Sequence, residues 1–258
     1  MENLSNRNEK IGDNLGYYIH NKKKIIKEFN SIANLAKEIV TAKYSTFNVE
    51  DITKQAYTEL EDLLIKLPYV GGKKSPFTPL MIQSAMTAAL CKACKSLPLS
   101  PYQIGELIYE IAETSAQSIS SFKKFFYRKA LFSKKMKNNW KYWMKESQKG
   151  NYLENWVGVF IEGDGEPFDY GFNFTECGWL KLVEKEGITD FAPYVCLCDY
   201  ARMRAIGIGF RRTKNLAAGA ELCDFRFFKN YDTPKGWPPE DLEESKDFYV
   251  KLNKNFHD

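Results

Sequence analysis

The feature that most constrains this chain is a change of texture at Lys149 and Gly150. From about Gly16 up to that point, apolar residues recur at spacings of three and four. β-Branched runs are short, and interruptions fall at Pro and Gly, as in a series of helices. Thr78 as N-cap and Pro79 at the first helical position predict a helix over 80–94, ended by Pro98 and Pro101. A further helical stretch is expected over 102–149, broken near 118–121. Past Gly150, segments 156–161 and 168–174 read as strands, and Gly163, Asp164 and Gly165 between them predict a hairpin. Thr175 is expected to cap a short helix reaching Glu184, and 190–204 reads as another helix. Alternation at Ile206, Ile208 and Phe210, and again over 223–228, predicts two more strands. The fold class that follows is α+β: a helical region, 1–150, packed with a small antiparallel sheet and helices in 151–258, as one integrated domain. Beyond Lys229, with Gly236, Pro238 and Pro239, an irregular tail should wrap the domain and end in a short helix.

Composition narrows the chemistry. Of 258 residues, 44% are hydrophobic, enough to fill a core, and the net charge of +4 gives a field too weak to call for nucleic acid or a membrane. The first ten residues are polar and charged, and no apolar stretch approaches a membrane span, so a cytoplasmic protein is expected. Without a secretory signal the six cysteines are read as thiols rather than a disulfide framework. The two histidines, His20 and His257, lie near the chain ends, which disfavours Ser-His, Cys-His and poly-His metal chemistry. The expected partner is a small-molecule substrate, with self-association into a homodimer left open.

Three motifs look chemical and are read as structural. Gly71, Gly72, Lys73, Lys74 and Ser75 have the wrong glycine spacing for a phosphate loop and follow no strand. Cys91 and Cys94 lie late in an alanine-rich helix rather than at the strand-to-helix turn of a redox pair. Segment 123–149 interleaves Lys and Arg with aromatic residues, as a base-stacking surface would. It is read instead as an amphipathic helix with a solvated basic face.

The remaining cysteines carry the chemical signal. Cys177 stands at the start of a presumed helix, where unpaired N–H groups and the positive end of the dipole favour a thiolate. Cys196 and Asp199, three apart, emerge on one helix face, and Cys198 points elsewhere. Period-two alternation sets Cys223 with Phe225 and Phe227, and puts Asp224 and Arg226 on the opposite face. Any one of these cysteines alone would be read as a small buried hydrophobe.

Cys177, Gly187 and Cys196-Leu197-Cys198-Asp199, then Phe210-Arg211-Arg212-Thr213, Gly219 and Cys223-Asp224-Phe225-Arg226-Phe227, resemble the L-2-amino-thiazoline-4-carboxylic acid hydrolase family. The resemblance covers about 156–228. It implies a hydrolase acting on a C–N bond of a small cyclic amidine-like or amide-like carboxylate, the named reaction opening a thiazoline ring to an N-carbamoyl cysteine. Cys198 and the long tail after Phe228 depart from that pattern. The leading expectation is attack by Cys177 or Cys196 on the C=N carbon, with Asp199 orienting or accepting a proton. Arg212, Thr213, Cys223, Asp224 and Arg226 are the candidate substrate contacts, the arginines for a carboxylate. This route calls for no cofactor. The alternatives are a zinc-assisted hydrolase, with Cys177, Cys196 and Cys223 as ligands, and a non-catalytic module that binds or senses a small ligand.

Overall fold

A computed structural model describes residues 16–240 and 242. Six long helices come first: α1 (Lys22–Lys43), α2 (Val49–Lys66), α3 (Phe77–Cys94), α4 (Pro101–Gln117), α5 (Ser121–Leu131) and α6 (Lys134–Ser147). Several starts have a local cause. Asn48 accepts from Asp51 N to cap α2. Ser100 and Gln103 form a reciprocal capping box on α4, with Pro101 in its first turn. Pro101 therefore starts a helix as well as separating it from the one before.

α3 is the central helix. It buries residues all round, among them Phe77, Met81, Ala85, Ala88 and Cys91, as expected of a helix enclosed on every side. Cys94 is buried there too. The helix begins earlier than the Thr78-Pro79 signal predicts. Its N-cap is Pro76, and the Thr78 hydroxyl donates 2.8 Å to the Gly72 carbonyl instead. The loop before it, with Gly71 and Gly72 both at positive φ, is a structural turn. A Cβ on Gly71 would stand 2.6 Å from the Trp143 ring, so only glycine fits beneath that indole.

The second half supplies β1 (Val157–Glu162), β2 (Tyr170–Glu176), α7 (Gly178–Lys185), α8 (Ala192–Cys196), α9 (Cys198–Ile206), β3 (Gly209–Arg211) and β4 (Cys223–Phe228). The strands form one antiparallel sheet in the order β1-β2-β4-β3, and with the helices make an α+β fold. Three local expectations change. Thr175 lies in β2, its hydroxyl against Val157 O, and Cys177 is the N-cap of α7. The helix expected over 190–204 is divided into a 3-10 turn, α8 and α9. Ile206 ends α9 where Gly207 takes a left-handed φ of 79°, which leaves β3 three residues.

Phe172 meets Trp140 of α6 at 4.7 Å and fastens the sheet to that helix, while within the sheet Phe227 stacks on Tyr170 at 5.0 Å. The tail after β4 is irregular and lays Trp237 against Tyr102, Tyr109 and Tyr194. The short helix expected at its end falls outside the described residues. Among the described residues no helix is long and apolar enough to cross a membrane.

Candidate active site

Segments from both halves of the chain line a cavity of about 140 Å³. The start of α7 contributes Cys177 and Trp179, the end of α8 Cys196, α9 Asp199 and Arg202, the residue after β3 Arg212, and β4 Cys223 with Phe225. α3 closes the other side with Leu80, Gln83, Ser84 and Thr87. Three separated cysteines and a carboxylate thus meet around one space. Cys198 is buried away from it.

Cys177 owes its position to a close approach. The next residue is glycine, and a Cβ there would stand 2.8 Å from the Trp156 ring, so α7 starts hard against that indole. Burial pushes the Cys177 thiol above its ordinary range. The N–H groups of Leu180 and Trp179 at the helix start, and the Trp156 side chain, pull it back. Cys196 is pushed up much further by burial, and the nearby Arg212 is the main opposing influence. The Cys223 sulfur is already engaged, accepting from Leu216 N at 3.2 Å and donating to Asn215 Oδ1 at 3.8 Å.

Arg212 is the hub of the polar wall. Its side chain is only 1% exposed and donates to Asp199 Oδ2 at 3.2 Å and to the Cys196 carbonyl at 3.1 Å. One guanidinium therefore fixes both cavity-facing residues of the α8–α9 junction. The Asp199 side chain keeps 30% of its surface where it lines the cavity. Protein encloses the rest, so burial raises its pKa above the ordinary carboxylate value, with Arg212 and then Arg202 opposing.

Two features that sequence reasoning did not single out complete the wall. Arg202 sits one helical turn after Asp199. With the Gln83 amide turned so that its oxygen faces the guanidinium, Gln83 accepts from Arg202 Nε at 2.7 Å and Nη2 at 2.9 Å. The i, i+3 spacing on α9 was the only signal that could have found Arg202, and nothing in sequence connects it to α3. Trp179 lines the cavity with a buried indole N–H that has no hydrogen-bond partner among the described residues.

Thr213, Asp224 and Arg226 lie off the cavity. Asp224 binds the loop that follows Arg212, accepting from Thr213 N at 2.8 Å and from the Thr213 hydroxyl at 2.6 Å, and from Lys214 N. Arg226 donates to the carbonyls of Phe172 and Phe225 and lies over the Phe168 ring. Period-two alternation put these side chains on the sheet face opposite Cys223, and the structure leaves them there, so they hold the sheet and loop. Asp224→Ala is expected to leave the Thr213 and Lys214 N–H groups short of an acceptor and to lower stability by about 2 kcal/mol, read from the denaturant midpoint. An unchanged midpoint would show that the loop holds without this carboxylate.

The cysteines do not fit a metal. Zinc bound by thiolates needs its sulfurs gathered about 2.3 Å from one point, and among the described residues no group of three His, Cys, Asp or Glu is so placed. The Cys223 sulfur faces its own loop for the reason given above.

Comparison with the curated proteins and with the solved structures gives no match. The family model described as L-2-amino-thiazoline-4-carboxylic acid hydrolase matches residues 80–227. That span is more than half of the chain and runs from Leu80 to past Phe225, the first and last residues of the cavity wall. The chain belongs to the L-2-amino-thiazoline-4-carboxylic acid hydrolase family.

Proposed function

We propose that this chain hydrolyses a small cyclic amidine carboxylate of the 2-aminothiazoline-4-carboxylate type, with Cys177 as the nucleophile. The observation that carries this reading is the convergence of Cys177, Asp199, Arg202 and Trp179 on one cavity. Cys177 is preferred to Cys196 because helix-start N–H groups and an indole oppose its burial, whereas Cys196 is pushed much further up. Cys223 is occupied by its own loop.

In the first step Cys177 Sγ bonds to the C=N carbon, the C=N π pair shifts to the ring nitrogen, and the thiol proton passes to Asp199, whose raised pKa makes it a better acceptor than an ordinary carboxylate. The nitrogen pair then returns to re-form C=N, and the ring carbon–sulfur bond breaks. The ring sulfur leaves with the proton from Asp199, and the amidine carbon stays on Cys177 as an isothiourea. The C–N bonds of that carbon are polarised but kept. Water adds to the same carbon, Asp199 again relays the proton, and Cys177 departs as the thiol. The product is the N-carbamoyl amino acid, with one water consumed and no redox change. Arg202, whose hydrogen bonds among the described residues go to the neutral Gln83 amide, holds the substrate carboxylate, and the Trp179 indole donates to a polar substrate atom.

Incubation with 2-aminothiazoline-4-carboxylate should release N-carbamoyl cysteine. Saturable binding without product would instead favour a ligand-binding module, and neither binding nor product would remove this substrate class. Arg202→Gln should raise KM by about tenfold to a hundredfold with a smaller change in kcat. An unchanged KM would place the carboxylate elsewhere.

A further inference from the structure

We propose that α5 is a membrane-surface element that binds anionic lipid headgroups through its lysines and seats its phenylalanines among the acyl chains at the interface. The helix is unusual in burying none of its residues. Phe122 is 73% exposed and Phe126 50%, and with Phe125 their rings cluster on one another at 4.7 and 5.6 Å in open solvent. The amphipathic helix expected here should have hidden its apolar face, and this one leaves its three phenylalanines exposed, with Leu131 at its end packing against the core. Exposed rings clustered in this way are the mark of a surface with a partner.

Charge selects the partner. Between Glu113 and Glu146 the chain carries nine Lys or Arg and no acid. Lys141 pairs with Glu162. Lys123, Lys124, Arg128, Lys129, Lys134 and Lys135 form no ion pair among the described residues. Their positive charge argues against a second copy, since a two-fold contact would set these cations against one another. It favours a polyanion. Of the polyanions, single-stranded nucleic acid is held in a groove whose aromatic platforms separate successive bases. Here the rings pack on each other along the outside of one helix, Phe122 and Phe126 sharing an i, i+4 face flanked by cations, which is the pattern of an interfacial helix. The weak overall field that argued against a membrane averages this local cluster with acids elsewhere.

Co-sedimentation of the full chain with phosphatidylcholine vesicles, with and without phosphatidylglycerol, tests the proposal. Binding is expected to the anionic vesicles, to be absent from phosphatidylcholine alone, and to weaken in 0.5 M salt, a concentration chosen to shorten the screening length. F122S/F126S and K123E/K124E should each lower the partition coefficient at least about tenfold. All four positions lie away from the candidate active site, so the helical circular-dichroism signal and cavity ligand binding should not change. The proposal is overturned by equal retention on neutral and anionic vesicles, by retention indifferent to both variants, or by failure to bind vesicles at all. Tight binding of oligonucleotide without vesicle binding, or a dimer that F122S/F126S dissociates, would overturn it in favour of that partner.

Discussion

Cys177→Ser is expected to reduce turnover of the thiazoline carboxylate by about 10³-fold or more, while the protein keeps its fold and its affinity for the substrate. A serine hydroxyl in the same place is a far weaker nucleophile, and among the described residues no histidine lines the cavity to activate it. Cys196→Ser should retain most activity, because its burial, less relieved by donors, leaves it a poorer source of thiolate. The reverse result would move the nucleophile to Cys196, and full activity in both variants would end thiol catalysis. The pH dependence follows from the direction of the shift. The Cys177 thiol is raised, so its thiolate fraction is small at neutral pH and grows through and beyond the ordinary thiol range. Its alkylation rate should therefore still be climbing where an unperturbed cysteine has levelled off. A plateau near neutrality would mean that the helix start outweighs burial.

Arg212→Met is expected to cost about 3–5 kcal/mol of stability, the loss typical of removing one partner from a buried ion pair. The side chain is almost fully enclosed and holds both Asp199 and the Cys196 carbonyl. Without it Asp199 keeps a partly buried negative charge and loses the largest influence that lowers its pKa. A carboxyl whose folded pKa is raised binds more protons folded than unfolded. Stability is therefore lost as pH rises from the unfolded value through the folded one, and recovered on acidification. In Arg212→Met that window widens upward. The deficit against wild type should be largest at neutral and alkaline pH and shrink toward acid. Adding Asp199→Asn should restore much of the loss, because the uncompensated charge is gone. Denaturant curves of the single and double variants across pH decide this, and no recovery in the double variant would assign the cost to lost packing instead.

Much of the fold was legible because local rules decide it. The hairpin at 163–165, the last strand at Cys223–Phe228 and the break after Gln117 are set by period and turn residues. Legibility failed where a distant group took the local donor. Thr78 has the chemistry of an N-cap, but its hydroxyl goes to Gly72 across the loop. Thr175 lies in β2 at an irregularity of its register with β1, between the residues that pair with Val157 and Gly158, which moves the cap to Cys177.

For the site, sequence by itself determined which residues could do chemistry. The near absence of histidine, thiols at helix and strand ends, and the Cys196 to Asp199 spacing on a helical face are all properties of neighbours in the chain. Alternation along β4 likewise separated Cys223 from Asp224 and Arg226. Only the tertiary structure decided that Cys177, Cys196 and Cys223 share a cavity, that Arg212 braces Asp199, and that Arg202 of α9 meets Gln83 of α3. The physical reason is range. Periodicity and capping act within a turn or two of backbone, whereas a cavity wall and a buried charge pair depend on how whole helices settle against the sheet.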